Sequence, residues 1–198
     1  MQARLLAALG LVAACERASP PPDHAIVVAT VDAVRLDGSA LFALDAGRVP
    51  DAERAHYTPP HQGELEIASK LRTALAPRCP ATKPVELQLD GALSAETFFV
   101  LLLSVGAAGC NDLTLAVRDQ PWHIPHRMFS GRAPEHHVEL RATTTDAELA
   151  ALAAPLASTP PADGALVILH PTVTVRQILQ FAHATPPAMR RVYAFDRD

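Results

Sequence analysis

The sequence predicts an α+β fold made of two small lobes, each with the order strand, helix, strand, helix, strand and each with a mixed sheet. Apolar runs of strand length alternate along the chain with segments of helical spacing. The second half also repeats a strand, a cap and a helix of the first half at a constant offset of 80 residues. A chain of 198 residues can hold either one domain or two small ones.

The composition indicates an Ala- and Pro-rich soluble protein rather than a membrane one, and it argues against nucleic acid as a partner. The chain has 17 Lys and Arg against 21 Asp and Glu, a formal net charge of −4. Nucleic-acid-binding domains carry a surplus of basic residues on one face, and no such surplus exists here.

The first 14 residues have the three parts of an export signal: a positive start at Arg4, an apolar run from Leu5, and small residues before Cys15. The apolar run is half the length that spans a bilayer. Val12-Ala13-Ala14-Cys15 resembles the bacterial lipoprotein box, which implies cleavage before Cys15 and its acylation. We therefore predict a signal peptide at 1–14, a Pro-rich tether at 15–24 and a lipid-anchored, periplasm-facing protein. The alternative is a buried N-terminal helix with an ordinary cysteine.

Two further cysteines, Cys79 and Cys110, precede strand candidates at 85–89 and 113–117. If these strands run parallel, both cysteines lie at the same edge of the sheet and can form a disulfide. An oxidising compartment would permit that bond. The alternative is two separate buried thiols, since free cysteine often behaves as a small core residue.

The first lobe is predicted at 25–119. Asp37-Gly38 is a hairpin turn, Ser94 is a helix cap, and Gly109 ends the helix that Ser94 begins. The run Phe98 to Leu103 is apolar on all sides, so this helix should be buried on more than one face. In chain order we expect a strand at 26–31, a strand at 40–44, a loop at 46–62, a helix from Glu64 up to Pro77, a strand at 85–89, the capped helix and a strand at 113–117.

Residues 120–135 are predicted to be an irregular linker, and 136–198 a second, degenerate lobe. Thr145 and Thr174 each begin a capping box and hence a helix. The expected strands are 138–140, 165–169 and 191–195. Because a second copy of the motif lies in the same chain, we predict an intramolecular pseudo-dimer and a monomeric protein.

The first half resembles the periplasmic domain of the ExbD/TolR biopolymer-transport family. The resemblance rests on Val85-Glu86-Leu87-Gln88-Leu89-Asp90, on Leu93, on the helix ending Gly106-Ala107-Ala108-Gly109, and on Leu113-Thr114-Leu115-Ala116-Val117. It implies that Asp90 shapes the strand-to-helix turn. The family also has a transmembrane helix bearing an aspartate that responds to the proton gradient. The lipid anchor predicted here would replace that helix, so this protein would not itself be proton-coupled.

The resemblance implies a non-enzymatic binding module associated with biopolymer transport or with contact to the cell wall or envelope. Its partner would be an envelope protein complex, with an ExbB/TolQ-like channel as one candidate, or peptidoglycan, and no cofactor is expected. An envelope hydrolase is a weaker alternative, because the sequence contains no Gly-x-Ser-x-Gly, phosphate-loop, Gly-x-Gly-x-x-Gly or His-Glu-x-x-His motif.

Four histidines in the predicted linker and directly after it provide a second alternative, a metal-binding lipoprotein. His123, His126, His136 and His137 fall within fifteen residues, and neutral imidazoles are good ligands for zinc or copper. Pro125 lies inside the first pair, and no cysteine or carboxylate completes a known motif. We therefore favour a solvated, His-rich linker.

We predict that Cys15→Ser abolishes acylation and the lipoprotein route of signal cleavage, because the thiol is the acceptor of the lipid. Detergent phase partition and intact mass would measure both effects. If the variant and the parent partition and migrate identically, the lipoprotein assignment is wrong.

Overall fold

The computed structural model describes residues 24–58, 64–79, 84–128 and 133–195. The predicted signal peptide, Cys15 and the tether up to residue 23 lie outside these residues. Within them, no helix is long and apolar enough to cross a membrane.

The fold is mixed α+β, with four α-helices and three sheets among the described residues. The strands are β1 Ile26–Ala29, β2 Ala33–Leu36, β3 Ser39–Ala43, β4 Arg54–Tyr57, β5 Leu65–Ala68, β6 Val85–Leu89, β7 Asp112–Val117, β8 His123–Arg127, β9 His136–Leu140, β10 Ala165–Leu169 and β11 Arg191–Phe195. The helices are α1 Ser69–Leu75, α2 Ala95–Ala107, α3 Asp146–Ser158 and α4 Val175–Ala184.

The largest sheet has six strands in the order β3-β2-β1-β6-β7-β8. Its central strands β1, β6 and β7 are parallel, and β2, β3 and β8 add antiparallel pairs at the two sides. The predicted hairpin turn is confirmed, since Asp37 (φ 48°) and Gly38 (φ 83°) join β2 to β3 in the left-handed region. Two successive positive φ angles are typical of the type I′ turn. Strands β4 and β5 form a separate antiparallel pair.

The second half forms a three-stranded sheet in the order β9-β10-β11, and all its strands are parallel. The mixed sheet expected for this half is therefore absent from the described residues. Its strand order and direction repeat those of β1, β6 and β7. In the first half Leu87 lies between Val27 and Leu115, and in the second half Val167 lies between Val138 and Tyr193.

Two predictions about the first half are wrong. Leu65–Ala68, expected to begin a helix, form strand β5, because they pair with β4 and because the Ala68 N–H donates to the buried Ser104 Oγ at 2.7 Å. The loop expected at 46–62 contains β4. The spacing of apolar residues in Leu65–Ala68 fits a helix, but it also fits a short strand that is buried at one end. Pairing with β4 favours the strand.

The linker expected at 120–135 is also not irregular throughout. His123–Arg127 form β8, which pairs antiparallel with β7. Ile124 on this strand is only 4% exposed. This mainly polar segment therefore extends the sheet by pairing with the edge of β7 and burying one apolar side chain.

Local signals for the helix ends are confirmed. Ser94 Oγ accepts a hydrogen bond from the Thr97 N–H at 3.3 Å, and Thr145 and Thr174 each form a complete capping box. Gly109, with φ 90°, follows the end of α2.

The two halves meet at the beginnings of α2 and α4. The Ala95 N–H donates to the Val173 carbonyl at 2.7 Å, and the Val175 N–H donates to the Leu93 carbonyl at 2.8 Å. Ala95 is equivalent to Val175 by the 80-residue offset, and Leu93 is equivalent to Val173. The two bonds are therefore reciprocal, because each half donates one and accepts the other. From this junction α2 reaches β11 of the second half, and α4 reaches β7 of the first.

One hydrophobic core extends through both halves. Phe98 of α2 is fully buried and meets Tyr193 of β11 edge to face, with ring centroids 5.4 Å apart. Helix α2 also contacts β5, α1 and α4. Its burial on more than one face, expected from its apolar sequence, is therefore observed.

Cys79 and Cys110 are joined in a disulfide, with Cα atoms 4.6 Å apart and a separation of 31 positions in the sequence. Cys79 follows α1, and Cys110 precedes β7. The bond closes a loop that contains β6 and α2, the centre of the first half.

We predict that replacing both cysteines (Cys79→Ala with Cys110→Ala) lowers the free energy of unfolding by about 3 to 4 kcal/mol, because the open chain gains loop entropy when unfolded. Denaturant titration of residues 24–198 would measure this loss. Reduction should destabilise the parent similarly and leave the double variant unchanged. Two reactive thiols in the unfolded, unreduced parent would refute the bond.

Candidate functional site

Asp90 lies at the turn between β6 and α2. Its Oδ1 accepts from the Ala92 N–H at 2.9 Å, and its backbone N–H donates to the Ala29 carbonyl at 2.8 Å. Its carbonyl accepts from the Leu93 N–H at 3.2 Å. These bonds are those of a residue that shapes the turn, the role that the ExbD/TolR resemblance implies for it.

The four histidines do not converge. His136 and His137 are exposed on β9, and His123 is exposed on β8, with its Nδ1 3.8 Å from Glu86 Oε1. His126 instead packs against Tyr193. No three His, Cys, Asp or Glu side chains among the described residues are placed to hold a metal ion, so the structure lends no support to the metal-binding alternative.

Three adjoining cavities run past β11, with volumes of about 520, 480 and 370 Å³. We call the middle one, of about 480 Å³, the β11 groove. It is bounded by β11, by α2, and by parts of β5 and β8. Its main lining residues are Arg191, Val192, Tyr193, Ala194, Phe195, Phe99, Leu102, Leu103, Leu65, Glu64, His126 and Met128.

The walls of the β11 groove are largely apolar and aromatic. Phe99 of α2 stacks on Phe195 of β11, with ring centroids 5.9 Å apart. Leu103, one turn further along α2, is partly exposed. An apolar helix face that the core leaves partly uncovered therefore stands beside β11.

Arg191 is 3% exposed, and its guanidinium group is occupied by protein acceptors. Nε donates to Thr185 Oγ1 at 3.0 Å, and Nη2 donates to the carbonyls of Ala182 at 3.2 Å and Pro186 at 2.9 Å. Burial lowers the pKa of this group from its usual value. Arg191 thus joins the end of α4 to the beginning of β11.

His126 and Tyr193 are uncharged at neutral pH. Burial, assisted by the charge of Arg191, lowers the pKa of His126 to about 4. Burial raises the pKa of Tyr193 to about 12. The Tyr193 hydroxyl oxygen is buried and has no hydrogen-bond partner among the described residues, which is uncommon for a buried polar group.

An ion cluster of Arg54, Glu66 and Glu96 lines the cavity of about 370 Å³ next to the β11 groove. Arg54 Nη2 lies 2.8 Å from Glu96 Oε1, Nη1 lies 3.0 Å from Glu66 Oε2, and Nε donates to the Val49 carbonyl at 2.9 Å. Burial alone would raise the pKa of Glu96, but the hydrogen bond and charge of Arg54 lower it below the usual value. The cluster is satisfied internally and fixes the start of α2 to β4 and β5.

The polar groups that line the β11 groove are few, and they are paired or neutral at pH 7. Its charged side chains already have protein partners: Arg191 as described, and Glu64 through His56 at 3.3 Å. Its two other titratable groups, His126 and Tyr193, are held neutral. What the groove offers a ligand is apolar surface and the edge of a strand.

Sequence reasoning did not find this groove. It identified the apolar run of α2 and the strand at 191–195, but assigned neither to a site. The useful signal was an excess of apolar residues on α2 beyond the faces that its own half can cover.

No protein-family model, curated protein or solved structure matches the chain. The resemblance to ExbD/TolR proteins consequently rests on the residues quoted for it above.

We predict that stability falls as the pH drops from about 6.5 towards 4, because the unfolded chain protonates His126 before the folded protein does. A pKa near 4 in the folded state against 6.5 corresponds to a loss of about 3 kcal/mol. His126→Leu should flatten the dependence, and His123→Gln on the exposed side of β8 should not. The unfolding free energies of the parent and of His126→Leu would be measured by denaturant titration from pH 8 to 4. Equal pH dependence of the two free energies would contradict the prediction.

Proposed function

We propose that this protein is a non-enzymatic, lipid-anchored binding module of the bacterial cell envelope, similar to the periplasmic domain of ExbD/TolR proteins. Cys15 carries the anchor, and the folded domain faces the periplasm. The observation that carries the proposal is the β11 groove, an apolar cleft beside a strand edge whose charged groups are already paired. Clefts of this size and lining are typical of binding sites.

We further propose that the two lobes are a pseudo-dimer within one chain. The reciprocal hydrogen bonds between Leu93–Ala95 and Val173–Val175 support this arrangement, because in a two-fold contact each bond has a counterpart with the partners exchanged. The crossed packing of α2 on β11 and of α4 on β7 follows the same exchange. The protein is accordingly a monomer.

The partner is an envelope protein, with an ExbB/TolQ-like channel as the candidate that the resemblance suggests. An apolar, aromatic groove favours a polypeptide over peptidoglycan glycan, whose surface is mainly hydroxyl and amide. The module contributes contact and not proton coupling.

The test is photo-crosslinking of the full-length protein in its own cells. A photoreactive phenylalanine derivative at Leu103, inside the β11 groove, should give a protease-sensitive product with an envelope protein. The same group at Leu152, which is 37% exposed on α3 and outside the groove, should give none. Mass spectrometry of the products would identify the partner.

Three outcomes would count against the proposal. Equal products at Leu103 and Leu152 would indicate unspecific contact, and no product at Leu103 would remove the binding role. A product with twice the mass of the chain would contradict the monomeric pseudo-dimer, because it would show that a second copy covers the groove.

A further inference from the structure

Strand β11 is the least protected sheet edge among the edges of the two larger sheets. Strand β8 carries Pro125 at its centre, β9 exposes His136, His137 and Glu139, and the pairing of β3 with β2 is irregular. Proline, charge and irregularity are common ways to prevent further pairing of an edge. Strand β11, Arg191–Phe195, has no proline, and its one charged side chain is buried.

The internal repeat shows what occupies the equivalent edge in the first half. Strand β7 corresponds to β11, because each is the last of three parallel strands. β7 pairs with β6 on one side and with antiparallel β8 on the other. In the described part of the chain β11 pairs with β10 alone, so no described strand occupies the place equivalent to β8.

The helices support the same comparison. Helix α4 packs against β8 in addition to β7. Its counterpart α2 packs against β11, and its residues Phe99, Leu102 and Leu103 line the β11 groove, where a strand equivalent to β8 would lie. An apolar helix face is thus already present for a strand that the described chain does not supply.

We infer that the β11 groove binds an extended segment of the partner protein as an antiparallel strand added to β11. This inference rests on the proposed function and names its site and ligand class. The backbone of the guest pairs with β11, and alternate apolar side chains face α2, as Ile124 of β8 is buried between exposed His123 and Pro125.

The test uses the detergent-solubilised, full-length protein and a display library of random heptapeptides. Selected peptides should alternate apolar and polar residues, since successive side chains of a strand point to opposite faces. A synthetic copy of a selected peptide should slow deuterium uptake at 191–195 at least fivefold. Uptake in α3, at 146–158, which contributes no residue to the groove lining, serves as the internal control.

Variants locate the side-chain contacts. Leu103→Asp should weaken peptide binding at least tenfold, because it removes a buried apolar contact, and Leu152→Asp should leave binding unchanged. Leu103→Ala, which adds no charge, should weaken binding by a smaller factor and serves if Leu103→Asp does not fold.

The inference is overturned if no alternating sequence is enriched, or if selected peptides leave uptake at 191–195 unchanged. Its failure is distinguishable from failure of the proposed function. Peptides that pair with β11, without a cellular crosslink at Leu103, would support the strand site and refute the envelope-binding role. A crosslink at Leu103 without protection of β11 would do the reverse.

Discussion

Three backbone hydrogen bonds join the halves of the chain at the beginnings of α2 and α4: Ala95 N–H to the Val173 carbonyl, Val175 N–H to the Leu93 carbonyl, and Arg176 N–H to the Gly91 carbonyl. Each such bond contributes only about 1 kcal/mol on its own, so their importance lies in geometry rather than in strength. They hold the helix N-termini side by side and thereby direct α2 onto β11 and α4 onto β7. The edge-to-face contact of Phe98 with Tyr193 and the common core then supply the hydrophobic stabilisation.

The site follows from a difference between the two helices. Helix α4 exposes Arg176 and His183 to solvent, and its inner side is covered, including by β8. Helix α2 has apolar residues around its whole circumference, and its own half with β11 does not cover all of them. Phe99 and Leu103 therefore remain partly exposed beside a strand edge. The two helices occupy equivalent positions, but only α2 leaves large apolar side chains partly uncovered beside a strand edge, and these side chains line the β11 groove.

Several features could be predicted because they depend on few residues close together in sequence. The caps at Ser94, Thr145 and Thr174 involve residues three positions apart, and the Asp37-Gly38 turn involves only the two residues that adopt positive φ. Most strands of both halves were also predictable from apolar alternation. The β11 groove was not, because its lining comes from four elements distant in the chain. The histidines were singled out because they are close in sequence. In the structure they lie on strands β8 and β9, which belong to different sheets, and their side chains do not come together.

The sequence by itself determined the α+β class, the helix boundaries at the caps, the repeat at 80 residues and the cysteines able to form a bond, since these depend on side chain and backbone chemistry within a short window. Only the tertiary structure decided that Leu65–Ala68 form a strand, that His123–Arg127 extend a sheet, and that β11 pairs with β10 alone among the described strands. In each case the local sequence pattern fits two outcomes, either two conformations of a segment or the presence and absence of a pairing partner. Whether the segment pairs with a strand distant in the chain decides the outcome, because that pairing contributes a free energy that the local sequence does not contain.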